Sequence, residues 1–173
     1  DPPDALTSQA GWKLSQQDIS FLKPLIESLF KSNIRVSLFV DPYDVNPSFL
    51  KALNQLQPYL TRVELFTEKF ATSISSPQQA QVINTYKQAA TSLSQIGMEL
   101  NAGHDLSLKN IHILREELPE IKEVSIGHAL ICEALYQGLE KTIQQYIKIL
   151  QQQQQQHRQQ NPISTDGKHV FES

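Results

Sequence analysis

The chain has 173 residues, 39% of them hydrophobic and 19% charged, with 15 basic against 18 acidic side chains and a formal net charge of −3. That length suits one domain with a sizeable core, and the composition excludes a wholly disordered chain. No apolar run approaches the roughly 20 residues of a membrane helix, no Lys/Arg cluster marks nucleic acid or an anionic membrane as partner, and the single cysteine, Cys132, excludes an internal disulfide and a multi-cysteine zinc site.

The chain opens with Asp1-Pro2-Pro3 and without an initiator Met, so the natural start is expected to lie upstream and a targeting segment is not excluded. Thr7-Ser8 and Gly11 then read either as a flexible loop able to touch phosphate or as a linker. Leu22, Leu25, Ile26, Leu29 and Phe30 form an apolar stripe at helical spacing, with Pro24 inside it, which predicts a helix that starts near the proline or kinks there. Ile34–Val40 reads as a strand. Asn46-Pro47 reads as N-cap and first residue of a helix to Leu56. Arg62–Phe66 is the second strand. Ser76-Pro77 announces a longer helix carrying Ile83, Tyr86, Ala90 and Leu93 on one face and ending at Gly97. Met98–Asn101 is the third strand, Leu108–Glu117 a short helix and Glu123–Ile126 the fourth strand. A last helix is predicted from Ala129 to Leu150, aligning Ile131, Leu135, Leu139, Ile143 and Ile147. Residues 151–173 open with six consecutive glutamines and are expected to be a frayed helix end passing into a disordered tail.

Alternation of strands and helices implies a parallel sheet with crossover helices. Strand starts at Arg35, Arg62, Met98 and Glu123 lie 27, 36 and 25 residues apart, close to the roughly 31 residues per unit of an eight-unit barrel. Each strand has one apolar face, while the opposite faces carry Ser37, Asp41, Glu64, Glu99, Asn101 and Ser125. A doubly wound sheet needs both faces apolar; a barrel covers one face with helices and keeps an interior able to hold a site. The pattern therefore favours a TIM (β/α)8 barrel over a flavodoxin-like sheet. Four strands cannot close such a barrel, so residues 1–150 read as half of one, either truncated or built to pair with another half.

Barrel chemistry sits at the C-terminal ends of strands. The third strand runs into Asn101-Ala102-Gly103-His104-Asp105 and the fourth into Ile126-Gly127-His128-Ala129, so two adjacent strands each end in a Gly-His step leading toward a helix. Glycine lets backbone N–H groups approach an anion, and a helix N-terminus adds a positive field. Either histidine also serves equally well as a capping or loop residue, and His112 reads as surface. Glu64, flanked by Val63 and Leu65, points away from the helices and needs a partner or a task; acid, base, electrostatic stabiliser and ion-pair partner all remain open to it. His104 and His128 lack a matching ligand triad for a metal, which only recruitment of Glu64 or Asp41 would supply.

In order and spacing, Ile34–Asp41, Val63–Thr67, Asn101-Ala102-Gly103-His104 and Ile126–Ile131 resemble the C-terminal half of the pyridoxine 5′-phosphate synthases, over about Leu6 to Leu150. The resemblance implies a TIM barrel with extra helices, a cytoplasmic homo-octamer, and condensation of 1-deoxy-D-xylulose 5-phosphate with 3-amino-2-oxopropyl phosphate into the pyridine ring of vitamin B6, with no organic cofactor or obligatory metal. It implies that His104 is the general acid, that Glu64 steadies positive charge in iminium-like transition states, that Gly127 and His128 bind phosphate, and that Thr7 belongs to a loop closing over substrate. The residue after the histidine is often glycine in that family and is Asp105 here; a backbone contact to phosphate survives that change, but the carboxylate must turn away. The family's first strands supply another histidine, a second glutamate and basic groups with no counterpart here, so this chain alone is expected to lack synthase activity. The alternatives are a non-catalytic phosphate-binding half-barrel that pairs with itself and a structural fragment serving oligomer contact.

Overall fold

The computed structural model describes Ser8 and residues 10–160. In chain order these form α1 (Gln16–Lys31), β1 (Ser37–Val40), a 3-10 turn at Pro42–Asp44, α2 (Pro47–Asn54), β2 (Arg62–Phe66), α3 (Glu68–Ser73), α4 (Gln79–Gln95), β3 (Glu99–Gly103), α5 (Ile111–Glu117), β4 (Ile121–Ser125), α6 (His128–Gln137) and α7 (Leu139–Gln160). The strands lie side by side in sequence order, every neighbouring pair parallel. A hydrogen bond from the Trp12 N–H to the Phe39 carbonyl, 2.8 Å long, lays the opening segment beside β1. Among the described residues no helix is long and apolar enough to cross a membrane.

One core holds the structure together. Leu38 and Val40 of β1, Val63 and Leu65 of β2, and Leu100 and Ala102 of β3 meet Ile19, Leu22 and Ile26 of α1, Phe49 and Leu53 of α2, Phe70 of α3, Ile83, Ala90 and Leu93 of α4 and Leu114 of α5 in a single buried cluster. Because side chains alternate along a strand, the residues between them face the other way. The register aligns Ser37 with Arg62, Phe39 with Glu64, Glu64 with Asn101, Phe66 with Gly103, and Gly103 with Ser125. The sheet thus has one apolar, helix-covered face and one polar face. Sequential parallel order without a reversal, and helices gathered on one face, are consistent with part of a TIM barrel.

Local signals explain most boundaries. Ser15 and Asp18 form a reciprocal capping box that starts α1, so the helix begins well before Pro24, which it contains. Asn46 caps α2 with its side chain on the Ser48 and Phe49 N–H groups, each at 3.0 Å. Ser76 turns the chain by accepting from the Gln78 N–H, and α4 follows at Gln79. β4 begins two residues earlier than its alternation suggests, since a register irregularity between Leu100 and Asn101 lets Ile121 join the core while Glu123 joins the polar face.

The predicted last helix is two helices. Gly138, at φ +88°, takes a backbone conformation that breaks α6 from α7. The aligned residues Ile131, Leu135, Leu139, Ile143 and Ile147 are exposed, as is Tyr136 at 92%, while Thr142 and Tyr146 are buried instead. On α1, Ile19, Leu22 and Ile26 are buried, but Leu25, Leu29 and Phe30 of the expected stripe lie outside. α7 continues through the glutamine run to Gln160; the remainder of the expected tail, 161–173, lies outside the described residues.

Candidate functional site at the strand C-termini

At their N-terminal ends the strands carry a charge cluster. Arg62, largely buried, contacts Asn101 Oδ1 (2.7 Å), Glu123 Oε2 (2.8 Å) and the Glu99 carboxylate, and Arg35 reaches Glu123 Oε1 at 3.1 Å. Glu99 is thereby an ion-pair partner. Arg62 was not among the polar-face residues read from the sequence, because its partners lie 37 to 61 residues away.

Higher on the same face, Glu64 accepts from Ser125 Oγ at 3.1 Å across β3. The space between them exists because residue 103 is glycine: a Cβ there would run into the Glu64 carboxylate and would lie 3.0 Å from Ser125 Cβ. Gly103 therefore makes room for Glu64, and the two Gly-His steps differ in how they lead into their helices. After Gly103 the chain makes a loop and enters α5 only at Ile111, whereas Gly127 is itself the N-cap of α6 and His128 its first residue.

His104 and Asp105 have φ of +91° and +56°, the left-handed region that side chains seldom occupy. Asp105 Oδ2 lies 3.1 Å from His104 Nδ1, so the carboxylate is turned to the imidazole. The ring meets Phe66 edge-on, centroids 4.7 Å apart. Thr67 Oγ1 lies 2.7 Å from the Gly103 carbonyl oxygen and 2.5 Å from that of His104. Behind this turn, the Tyr86 hydroxyl donates to the Phe66 carbonyl (2.7 Å) and accepts from the Phe70 N–H (3.3 Å). Burial raises the Tyr86 pKa above its ordinary value.

His104, Asp105 and Leu106 line one wall of a cavity of about 500 Å³; Ser125, Ile126, Gly127, His128 and Ala129 line the other. Glu133 ties the walls together. One turn into α6 from His128, it accepts from the Leu108 N–H (3.2 Å) beyond His104 and from the Tyr146 hydroxyl of α7 (2.5 Å). Burial first, then that bond, pushes the Tyr146 pKa up. His128 Nε2 lies 3.3 Å from Cys132 Sγ. α6 starts without a side-chain cap, and its first residues line the cavity, which places an electropositive helix terminus beside two histidines. Thus His104, Asp105, Gly127 and His128 share one cavity, Glu64 adjoins it through Ser125, and Thr7 lies outside the described residues. Asp41, expected on the polar face, pairs with Lys69 at 3.0 Å and caps the 3-10 turn. His112 is exposed on α5. Among the described residues no group of three or more His, Cys, Asp or Glu side chains is placed to hold a metal.

Parallel strands in sequential order, a polar sheet face and a histidine-lined cavity at the strand C-termini make this an α/β protein whose four-stranded sheet is consistent with part of a TIM barrel. Residues 1–152 match the family model of the pyridoxal phosphate biosynthesis protein PdxJ. The pyridoxine 5′-phosphate synthase of Cytophaga hutchinsonii is 45% identical over 150 residues, covering 87% of this chain and 60% of that protein. Those of Christiangramia forsetii and Porphyromonas gingivalis are 42% and 40% identical, covering 87% and 84% of this chain and 60% and 58% of theirs. The chain belongs to the PdxJ family and spans about 60% of the length of these curated relatives.

Proposed function

We propose that this chain supplies the C-terminal half-barrel of a pyridoxine 5′-phosphate synthase of vitamin B6 biosynthesis, working in the cytoplasm within a homo-oligomer. The reaction is the condensation of 1-deoxy-D-xylulose 5-phosphate with 3-amino-2-oxopropyl phosphate to pyridoxine 5′-phosphate, phosphate and water. The observation that carries this reading is the single cavity shared by His104, Asp105, Gly127 and His128, with Glu64 one hydrogen bond behind Ser125.

The roles implied by the resemblance are supported by where the described residues lie. His104 follows the end of β3 and lines the cavity, where its imidazole can donate to a departing hydroxyl or carbonyl oxygen. The Glu64 carboxylate, held by Ser125 on the sheet's polar face, stabilises a developing cation from a fixed distance. The uncapped start of α6 at Gly127 and His128 receives a phosphate. Asp105 offers its backbone, since its carboxylate is engaged with the imidazole. The role of Thr7 in substrate binding rests on the resemblance alone.

The test compares the chain alone with the chain joined behind the N-terminal portion of the Cytophaga hutchinsonii synthase. Formation of pyridoxine 5′-phosphate from the two phosphates is followed by mass spectrometry. The joined protein is expected to turn over and the chain alone is not; His104→Ala in the joined protein is expected to lower turnover about 10²–10⁴-fold. Turnover by the chain alone overturns the half-barrel reading. A folded joined protein without turnover overturns the enzymatic reading, and phosphate binding by the chain alone would then point to a non-catalytic binding module.

A further inference from the structure

We propose that Thr67 is the positioning residue of the His104 imidazole. The inference rests on the reading of His104 as general acid. Thr67 is the N-cap of α3, where a threonine ordinarily accepts from an N–H of its own first turn. It makes no such bond. Fully buried at 0% exposure, its hydroxyl is directed to the neighbouring strand, its one proton shared between the carbonyls of Gly103 and His104. Its own N–H also donates to the Gly103 carbonyl, at 3.0 Å. α3 thus forgoes a cap so that the exit of β3 is held.

What is held requires holding. The two carbonyls belong to the peptide units on either side of the His104 Cα. A peptide unit is planar, so anchoring both fixes φ and ψ at His104, and with them the direction of its Cβ. Those values are left-handed, and Asp105 continues them, a pair of conformations that persists only when its surroundings over-determine it. Phe66, the residue before Thr67, lies edge-on to the imidazole. Residues 66 and 67 therefore grip the ring and its backbone together, and Tyr86 locks the turn that carries them by bridging Phe66 and Phe70.

The test uses Thr67→Val, which keeps the shape and loses the hydroxyl, and Thr67→Ser, which keeps the hydroxyl. Thr67→Ala removes the same proton should valine not fit. In the joined protein, valine is expected to lower kcat about 10–100-fold with KM for both phosphates within about twofold, and serine to restore most of the loss. In the chain itself, the nuclear Overhauser contacts between the Phe66 and His104 rings should vanish with valine and persist with serine. Unchanged kcat and retained ring contacts in Thr67→Val would overturn the proposal, as would serine and valine being equally impaired. If His104→Ala leaves turnover intact, the acid reading fails on its own; the ring contacts still decide whether Thr67 holds the histidine, and their survival in Thr67→Val overturns the inference.

Discussion

The hydroxyl of Tyr86, midway along α4, donates to the main-chain carbonyl of Phe66 at the last residue of β2. A helix on one side of the sheet is thereby bonded to the turn from which the candidate site is built. Removing the hydroxyl leaves a buried carbonyl and the Phe70 N–H each short of a partner, so Tyr86→Phe should cost about 1–2 kcal/mol in urea unfolding at neutral pH. The alkaline side separates this bond from simple packing. In the unfolded chain Tyr86 ionises near pH 10, whereas burial keeps it protonated in the fold to higher pH. Above that pH the unfolded state binds fewer protons than the folded one, so wild-type stability falls with pH. The phenylalanine variant lacks this loss. The gap between the two should be constant below about pH 9 and should narrow by up to about 1.4 kcal/mol per pH unit above pH 10.

Gly103→Ala places a methyl group against the Glu64 carboxylate and Ser125. The expected destabilisation is about 1–3 kcal/mol, the usual cost of overfilling a packed site. If the carboxylate is the obstacle, the same change costs much less in a Glu64→Ala background, and a double-mutant cycle measured by urea unfolding reads the difference directly.

Glu133 holds the Leu108 N–H and the Tyr146 hydroxyl at once. Glu133→Ala should lower stability by about 1–3 kcal/mol and speed amide exchange at Leu108, with amides in the centre of β2 sped only as far as the loss of global stability requires. Equal changes at Leu108 and in β2 would show that Glu133 supports the whole domain and not the cavity wall.

Arg62→Met keeps the stem and deletes the charge. Glu99 and Glu123 are about half exposed and can return to water, so the cost should be about 1–3 kcal/mol, below the 3–5 kcal/mol typical when a fully buried pair is broken. Glu99→Gln, at the exposed end of the cluster, should cost less than about 1 kcal/mol. Urea unfolding measures both, and raising salt should shrink the second more than the first.

Much of this arrangement is legible along the chain. Alternation at Val63-Glu64-Leu65 is enough to turn Glu64 away from the helices, and Asn46-Pro47 announces α2 where it begins. The capping box at Ser15 and Asp18 and the glycine at 138 are local signals too, overlooked because Pro24 and the apolar spacing beyond Ala129 drew the boundaries elsewhere. Other features have no local signature. Arg62 finds its carboxylates on two other strands, Thr67 gives its hydroxyl to residues 36 and 37 positions ahead, and a register shift sends Ile121 and Glu123 to opposite faces. The apolar residues of α6 show the limit of periodicity: it identifies a face of a helix and is silent about what that face meets.

The glycine beneath Glu64 has a consequence for how such sequences change over time. Its lack of a side chain serves a neighbour 39 positions away, so the two sites should drift as a pair. A lineage that shortens residue 64 frees residue 103 to grow, and one that keeps the long acid penalises that growth. Glycine at 103 should then accompany glutamate at 64, and alanine or serine at 103 a shorter residue at 64.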